Sequence, residues 1–189
     1  MPQSNGPTTP AVAVSAVDEH RAAAPETLGF GAVTVSDSRT PDDDASGRLI
    51  REMVEAAGHR LVESLLVPDH PAEIKMAVRT LLSTPGIDVV VTTGGTGLSP
   101  RDVTIESVMP LVERELPGFG ELFRMLSYEQ VGSAAMLSRA AAGAVDTRAV
   151  FCLPGSPKAV KLAMKRLVLP EAAHLIGVLA RPTRAPARS

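Results

Sequence analysis

The chain has 189 residues, of which 44% are hydrophobic, 21% charged and 3% aromatic, with a formal net charge of -2 at pH 7. That length and composition suit one soluble globular domain with an ordinary core, while the scarcity of aromatic side chains and of basic runs argues against nucleic-acid binding. The single cysteine, Cys152, excludes an internal disulfide.

No apolar run reaches the roughly 18 residues of a membrane span, and no Lys or Arg precedes Arg21 to make a signal peptide. A cytoplasmic protein that does not engage membrane is therefore expected. Residues 1–26 are rich in Pro, Ala, Ser and Thr without a regular period, and residues 180–189 carry Arg181, Arg184 and Arg188 among prolines. Both are expected to be disordered arms flanking one domain at 27–179.

In chain order, Leu28 to Val35 predicts a buried strand. Ala45 to Ala57 places Leu49, Ile50, Met53, Val54 and Ala57 on one helical face, with Gly58 as its stop. Leu61 to Val67 predicts a second strand, Pro71 to Leu82 a helix striped by Ile74, Ala77, Val78, Leu81 and Leu82, and Ile87 to Thr93 a third strand. Beyond a glycine-rich stretch, Ile105 to Val112 and Phe119 to Glu129 predict short helices, and Thr147 to Leu153 a further strand. Ser156 to Leu167 opens with Ser at the cap and Pro157 in the first turn. Pro170 to Leu179 is the last helix. This alternation predicts an α/β fold: a three-layer α/β/α domain on a mostly parallel sheet, with ligands beyond the carboxyl ends of the strands.

Four loops lie at those ends: Ser36-Asp37-Ser38-Arg39, Val67-Pro68-Asp69-His70, the run from Thr93 to Thr104, and Pro154-Gly155-Ser156-Pro157-Lys158. Gly94, Gly95 and Gly97 let backbone amides approach a phosphate, and Thr93, Thr96 and Ser99 can add hydroxyl donors. The alternative for Gly94-Gly95 is a plain chain reversal. No lysine follows Gly97, so this is not a P-loop, and the glycine spacing is not GxGxxG.

Asp69 and Asp102 are the candidate catalytic acids, because a carboxylate beside a phosphate cradle calls for a cation between them, commonly Mg²⁺. The plainer readings are a helix cap before Pro71 for Asp69, and pairing with Arg101 or Arg39 for Asp102. Asp37 either braces its own loop or touches ligand. Asp42, Asp43 and Asp44 read as a solvated, helix-capping run. Lys158 and Arg139 either neutralise a substrate phosphate or are solvated charges. His20, His59, His70 and His174 show no ligand spacing with one another or with Cys152, which reads as a core thiol.

With these loops assembled, the chain resembles the MogA/MoaB family of molybdenum cofactor biosynthesis proteins, whose molybdopterin-binding domain also occurs in gephyrin-type and MoeA-type proteins. The resemblance spans most of Leu28 to Leu179 and rests on TVSDSR (34–39), DASG (44–47), VPD (67–69), TTGGTGLSPRDVT (92–104), PGFGELFR (117–124), MLSRAAAG (136–143) and LPGSPKAV (153–160), in that order.

The resemblance implies a three-layer domain that assembles as a homotrimer or homohexamer. It also implies a molybdopterin adenylyltransferase, joining AMP from ATP to the terminal phosphate of molybdopterin with Mg²⁺ and releasing pyrophosphate. Some members on the MoaB side have lost this activity, which implies the alternative of a silent pterin-binding carrier or scaffold. Carried over by motif, the glycine loop is Gly94, Gly95, Thr96 and Gly97, and the acids that would hold Mg²⁺ are Asp69 and Asp102. The phosphate loop runs from Pro154 through Gly155 and Ser156 to Pro157, and Ser36 and Asp37 border the site. This chain departs from the family in having His70 where an acid often follows Asp69, and Val103-Thr104-Ile105 where VTP often closes the glycine loop.

Overall fold

The computed structural model of the chain describes residues 25–181. The expected arms, 1–26 and 180–189, fall outside the described residues except at 25, 26, 180 and 181. His20 also lies outside them.

The elements follow the expected alternation: β1 (Gly29–Val35), α1 (Ala45–Ala56), β2 (Arg60–Val67), α2 (Pro71–Ser83) and β3 (Val89–Thr93). Next come the short helix α3 (Thr104–Val108), running into a 3₁₀ turn (Met109–Leu111), then β4 (Arg114–Glu115) and α4 (Pro117–Val131). A second 3₁₀ turn (Gly132–Leu137) leads to β5 (Ala141–Val145) and β6 (Arg148–Leu153). The chain then forms α5 (Pro157–Ala163), a π-helical turn (Met164–Val168) and α6 (Leu169–Leu179). As expected, Ser156 caps α5 by accepting from the Ala159 N–H, and Gly58 stops α1 at φ +80°.

The strands form one sheet in the order β2-β1-β3-β6-β5-β4. β2, β1, β3 and β6 are mutually parallel, whereas β5 runs antiparallel to β6, and β4 antiparallel to β5. The sheet is therefore mixed, with a four-stranded parallel core and an antiparallel edge. Sequence reasoning gave neither β4 nor β5. β5 reads AAGAV, with β-branched character only at its last residue, and β4 is two residues long.

Alternation along the strands divides the core. Phe30, Ala32, Val89, Val91, Phe151 and Leu153 face one side and pack with buried side chains of α1, α4, α5 and α6. Val33, Val35, Val90, Val150 and Cys152 face the other and meet α2 and α3. This makes the three layers. β2 shows one irregularity: Phe30 pairs Leu61 and Gly31 pairs Glu63, leaving Val62 as an extra residue. Leu61 accordingly joins the first core and Leu65 and Val67 the second.

Candidate functional site

The sheet order dictates where a crevice opens. From β1 the chain crosses by α1 to β2 on one side, then returns by α2 to β3 on the other. That reversal leaves a gap at the carboxyl ends of β1 and β3, the position at which open α/β sheets bind ligands. The four loops singled out by sequence meet there.

The glycine loop enters this gap under tight constraint. Gly94 has φ +101°, and a Cβ there would stand 2.2 Å from the Val35 carbonyl oxygen. Only glycine lets the backbone pass so close. The Gly94 N–H donates to the Leu153 carbonyl at 3.1 Å, and the Thr93 hydroxyl to the Pro154 carbonyl at 3.1 Å. The 154–157 loop is held from the opposite side, where the Gly155 carbonyl accepts from the Ser46 hydroxyl at 2.9 Å and from Arg39 Nη2 at 3.3 Å. Thr104, at the start of α3, closes the loop by donating its N–H to the Gly95 carbonyl at 2.9 Å and its hydroxyl to the Gly94 carbonyl at 2.8 Å. Among the described residues, the N–H groups of Gly95, Thr96 and Gly97 have no acceptor. Successive unpaired amides in a turn, as here after Gly94 and Gly95 at positive φ, can form an anion-binding concavity.

The two candidate acids lie against this loop. At Gly95, φ +60°, a Cβ would stand 2.8 and 2.9 Å from the Asp69 carboxylate oxygens, and at Gly97 it would stand 2.7 Å from Asp102 Oδ2. Asp69 is not a helix cap: His70 occupies that position in α2, with no side-chain capping bond. Asp69 Oδ1 is buried without a hydrogen-bond partner. Burial pushes the Asp69 carboxyl above the ordinary aspartate range, reinforced by Asp102 and Asp37 and opposed by the Val103 N–H and by Arg101. Asp102 Oδ2 accepts the Ser99 N–H at 3.1 Å, which shapes its turn; the alternative pairing with Arg101 or Arg39 is not found, as these bond Asp37 and Asp44.

Asp37 braces neighbouring loops rather than its own, which Ser36 holds. Its Oδ1 accepts the Asp69 N–H at 2.9 Å, and its Oδ2 receives Arg101 Nη2. The bond from Asp69, helped by Arg101, holds the Asp37 carboxyl below its ordinary range. The capping run is corrected in one respect. Asp42 and Asp43 are exposed, but Asp44 is buried, accepting from the Gly47 N–H at 2.9 Å and from the Thr34 hydroxyl at 2.6 Å, and pairing with Arg39 at 3.5 Å.

Among the hydroxyls, Ser36, Ser99 and Ser156 use their oxygens as acceptors from N–H groups of their own loops, so each keeps an O–H to donate. Thr93 has spent its proton on the Pro154 carbonyl and belongs to the frame. Arg139 touches the glycine loop directly, Nη1 donating to the Gly97 carbonyl at 3.1 Å and Nη2 to Glu106. Burial opposes ionisation of Glu106, but the bond from Arg139 and its own N–H outweigh this and lower its pKa. Lys158 lines a surface depression with Gln130, Lys161, Lys165 and Arg166. No hydrogen bond or ion pair ties it to the four loops among the described residues. Cys152 is fully buried, as expected of a core thiol. His59 stacks on Phe30 at 5.5 Å, away from the site.

Arg39, Asp44, Ser46 and Thr104 all lie inside the motifs quoted from the sequence, yet their part in joining loops emerges only in three dimensions. Glu106 carried no sequence signal beyond its charge, and Arg101, inside the glycine-loop motif, was weighed only as a partner for Asp102.

The strand-order reversal, with a glycine turn and two half-buried acids at its edge, defines an α/β domain of the kind that holds ligands beyond the carboxyl ends of its strands. Residues 31–174 match the family described as "Probable molybdopterin binding domain". Molybdenum cofactor biosynthesis protein B of Bacillus cereus is 48% identical over 160 residues, covering 84% of this chain and 95% of that protein. Its Bacillus subtilis counterpart is 47% identical over 161 residues, covering 85% and 95%. The crystal structure of the tungsten cofactor synthesizing protein MoaB from Pyrococcus furiosus superposes with a TM-score of 0.75 at 43% identity, covering 84% of this chain and 100% of that one. A MogA structure superposes with a TM-score of 0.69 at 28% identity, covering 78% and 99%. The chain belongs to the MoaB/MogA family of molybdenum cofactor biosynthesis proteins.

Proposed function

We propose that the chain is a molybdopterin adenylyltransferase: an oxygen of the terminal phosphate of molybdopterin attacks the α-phosphorus of ATP. The new P–O bond forms as the bond to the β-phosphate oxygen breaks, and pyrophosphate leaves with the electron pair. Two anions must meet, so neutralisation and positioning dominate the barrier. The free amides of Gly95, Thr96 and Gly97 receive phosphate oxygens. Ser36, Ser99 and Ser156 donate hydroxyls from flanking loops, and Arg139 adds charge beside Gly97.

The observation that carries this reading is the buried Asp69 oxygen with no partner, set against a phosphate-type loop with Asp102 beside it. A buried carboxylate oxygen left without a donor is costly, and a cation would satisfy it. Among the described residues no three His, Cys, Asp or Glu side chains gather into a ready-made metal site. Asp69 and Asp102 would therefore hold Mg²⁺ with phosphate and water oxygens completing the shell, the usual arrangement for this ion. Bound there, Mg²⁺ supplies charge neutralisation for the phosphates and for departing pyrophosphate.

Incubating the purified protein with molybdopterin, ATP and MgCl₂ tests the proposal: adenylylated pterin and pyrophosphate are expected in equal amounts. A silent pterin-binding carrier is the second reading. It is favoured by the higher identity to proteins named as protein B than to MogA, 48% against 28%, and by His70 beside Asp69. Pterin binding without AMP transfer would select it.

We also propose a homo-oligomer, a trimer or hexamer. Its support is the apolar surface of the single chain, where Met125, Tyr128 and Val131 of α4 and Met136 of the following turn are more than half exposed. An apolar groove of about 360 Å³ between Leu116, Leu122, Leu175 and Val178 adjoins the same helix.

A further inference from the structure

Among the described residues, Arg101 is the cation that pairs with Asp37 beside Asp69, and its side chain stays 77% exposed. It stands on the glycine loop immediately before Asp102, and its field reaches the Asp69 carboxylate. Asp37, from a loop 64 residues earlier, is the only hydrogen-bond partner of its side chain among the described residues. Asp37 is thereby used twice, one oxygen holding the Asp69 backbone and the other holding Arg101.

An exposed ion pair between long side chains contributes little and is screened by salt. A guanidinium gripping phosphate in a bidentate, charge-assisted way gains more. Arg101 stands on the same loop as the free amides of Gly95, Thr96 and Gly97, where a phosphate would settle. Arg139, by contrast, is only 28% exposed and is anchored to the glycine loop through the Gly97 carbonyl as well as to Glu106. The two arginines are thus unequal: Arg139 is anchored at two points and Arg101 at one, with most of its side chain in solvent.

We propose that Arg101 is the mobile phosphate-gripping arm of the site and that Asp37 is its holding counter-ion, surrendering it when phosphate binds. Asp37 then acts as a positioning residue, through Asp69 and Arg101, rather than as a ligand to substrate. The ligand class is a phosphate group, from the nucleotide or from the pterin. The proposal rests on the reading of the crevice as a phosphate site and survives loss of the transfer reading.

Calorimetric titration of the full chain with pyrophosphate in the presence of MgCl₂ tests it without requiring turnover. Arg101→Gln is expected to weaken binding about tenfold or more, with partial recovery in Arg101→Lys. Asp37→Asn, whose amide oxygen still accepts the Asp69 N–H, is expected to tighten binding about two- to fivefold by removing the competing charge. Opposite signs in the two variants are the signature. A merely structural pair would weaken binding in both, and that result, or unchanged binding in Arg101→Gln, overturns the proposal. Steady-state arms identify the source: a raised KM for ATP in Arg101→Gln assigns the arm to the nucleotide, and a raised KM for molybdopterin assigns it to the pterin. Pyrophosphate binding that depends on Arg101 in a protein that transfers no AMP keeps this proposal and removes only the adenylyltransferase reading.

Discussion

At the scale of single residues, the site is a place where stability has been given up. Asp69 is a carboxylate pressed against Gly95 with one oxygen unsatisfied, near two further acids. Its raised pKa means that the native state holds the proton to higher pH than the unfolded chain does. Above that folded pKa the ionised group therefore opposes folding. Asp69→Asn is expected to raise the melting temperature at pH 7 to 8, with the gain shrinking as pH falls through the raised pKa, while abolishing transfer. A melting curve across pH, set beside the assay, checks both. Asp102→Asn should leave the fold intact and cut turnover by orders of magnitude; near-normal rates would remove Asp102 from the cation-holding role. Cys152 has no such part: burial pushes its thiol up to about 11. It should resist a disulfide reagent at pH 8 in the native protein and react at once when the chain is unfolded.

At the scale of elements, most of the architecture was legible because period and punctuation agreed. The stripe from Ile74 to Leu82 is buried in α2, and the Ser156-Pro157 start of α5 caps as its chemistry demands. What failed was local signal without contrast: β5, built largely of Ala and Gly, is a strand only because β6 and β4 flank it. The convergence of the four loops could be inferred from fold class, but the pairings across them could not. Arg101 sits next to Asp102 in sequence and bonds Asp37 instead, because the parallel pairing of β1 and β3 puts the loops that follow them side by side. The tightest of these meetings is Gly94 on Val35, so Gly94→Ala should destabilise the protein by at least about 2 kcal/mol. Denaturant unfolding would read that cost, and phosphate binding should fall with it because the loop can no longer reach the crevice.

At the scale of the whole molecule, the four loops meet at one edge of the parallel centre, while exposed apolar side chains gather on α4 and the turn that follows it. If those side chains are covered by other copies, sedimentation of the wild type should give a multiple of the chain mass. Met125→Glu with Tyr128→Glu should then return it to the mass of one chain. The division of the core into two cores also bears on how the chain tolerates change in length. Because Val62 is supernumerary in β2, excising it would leave Leu61 facing α1 and Leu65 and Val67 facing α2, each as before. Taking one residue out of β3 would instead turn its remaining side chains inside out. The outermost parallel strand thus holds a spare link, where a lineage can gain or lose a residue without scrambling the interior.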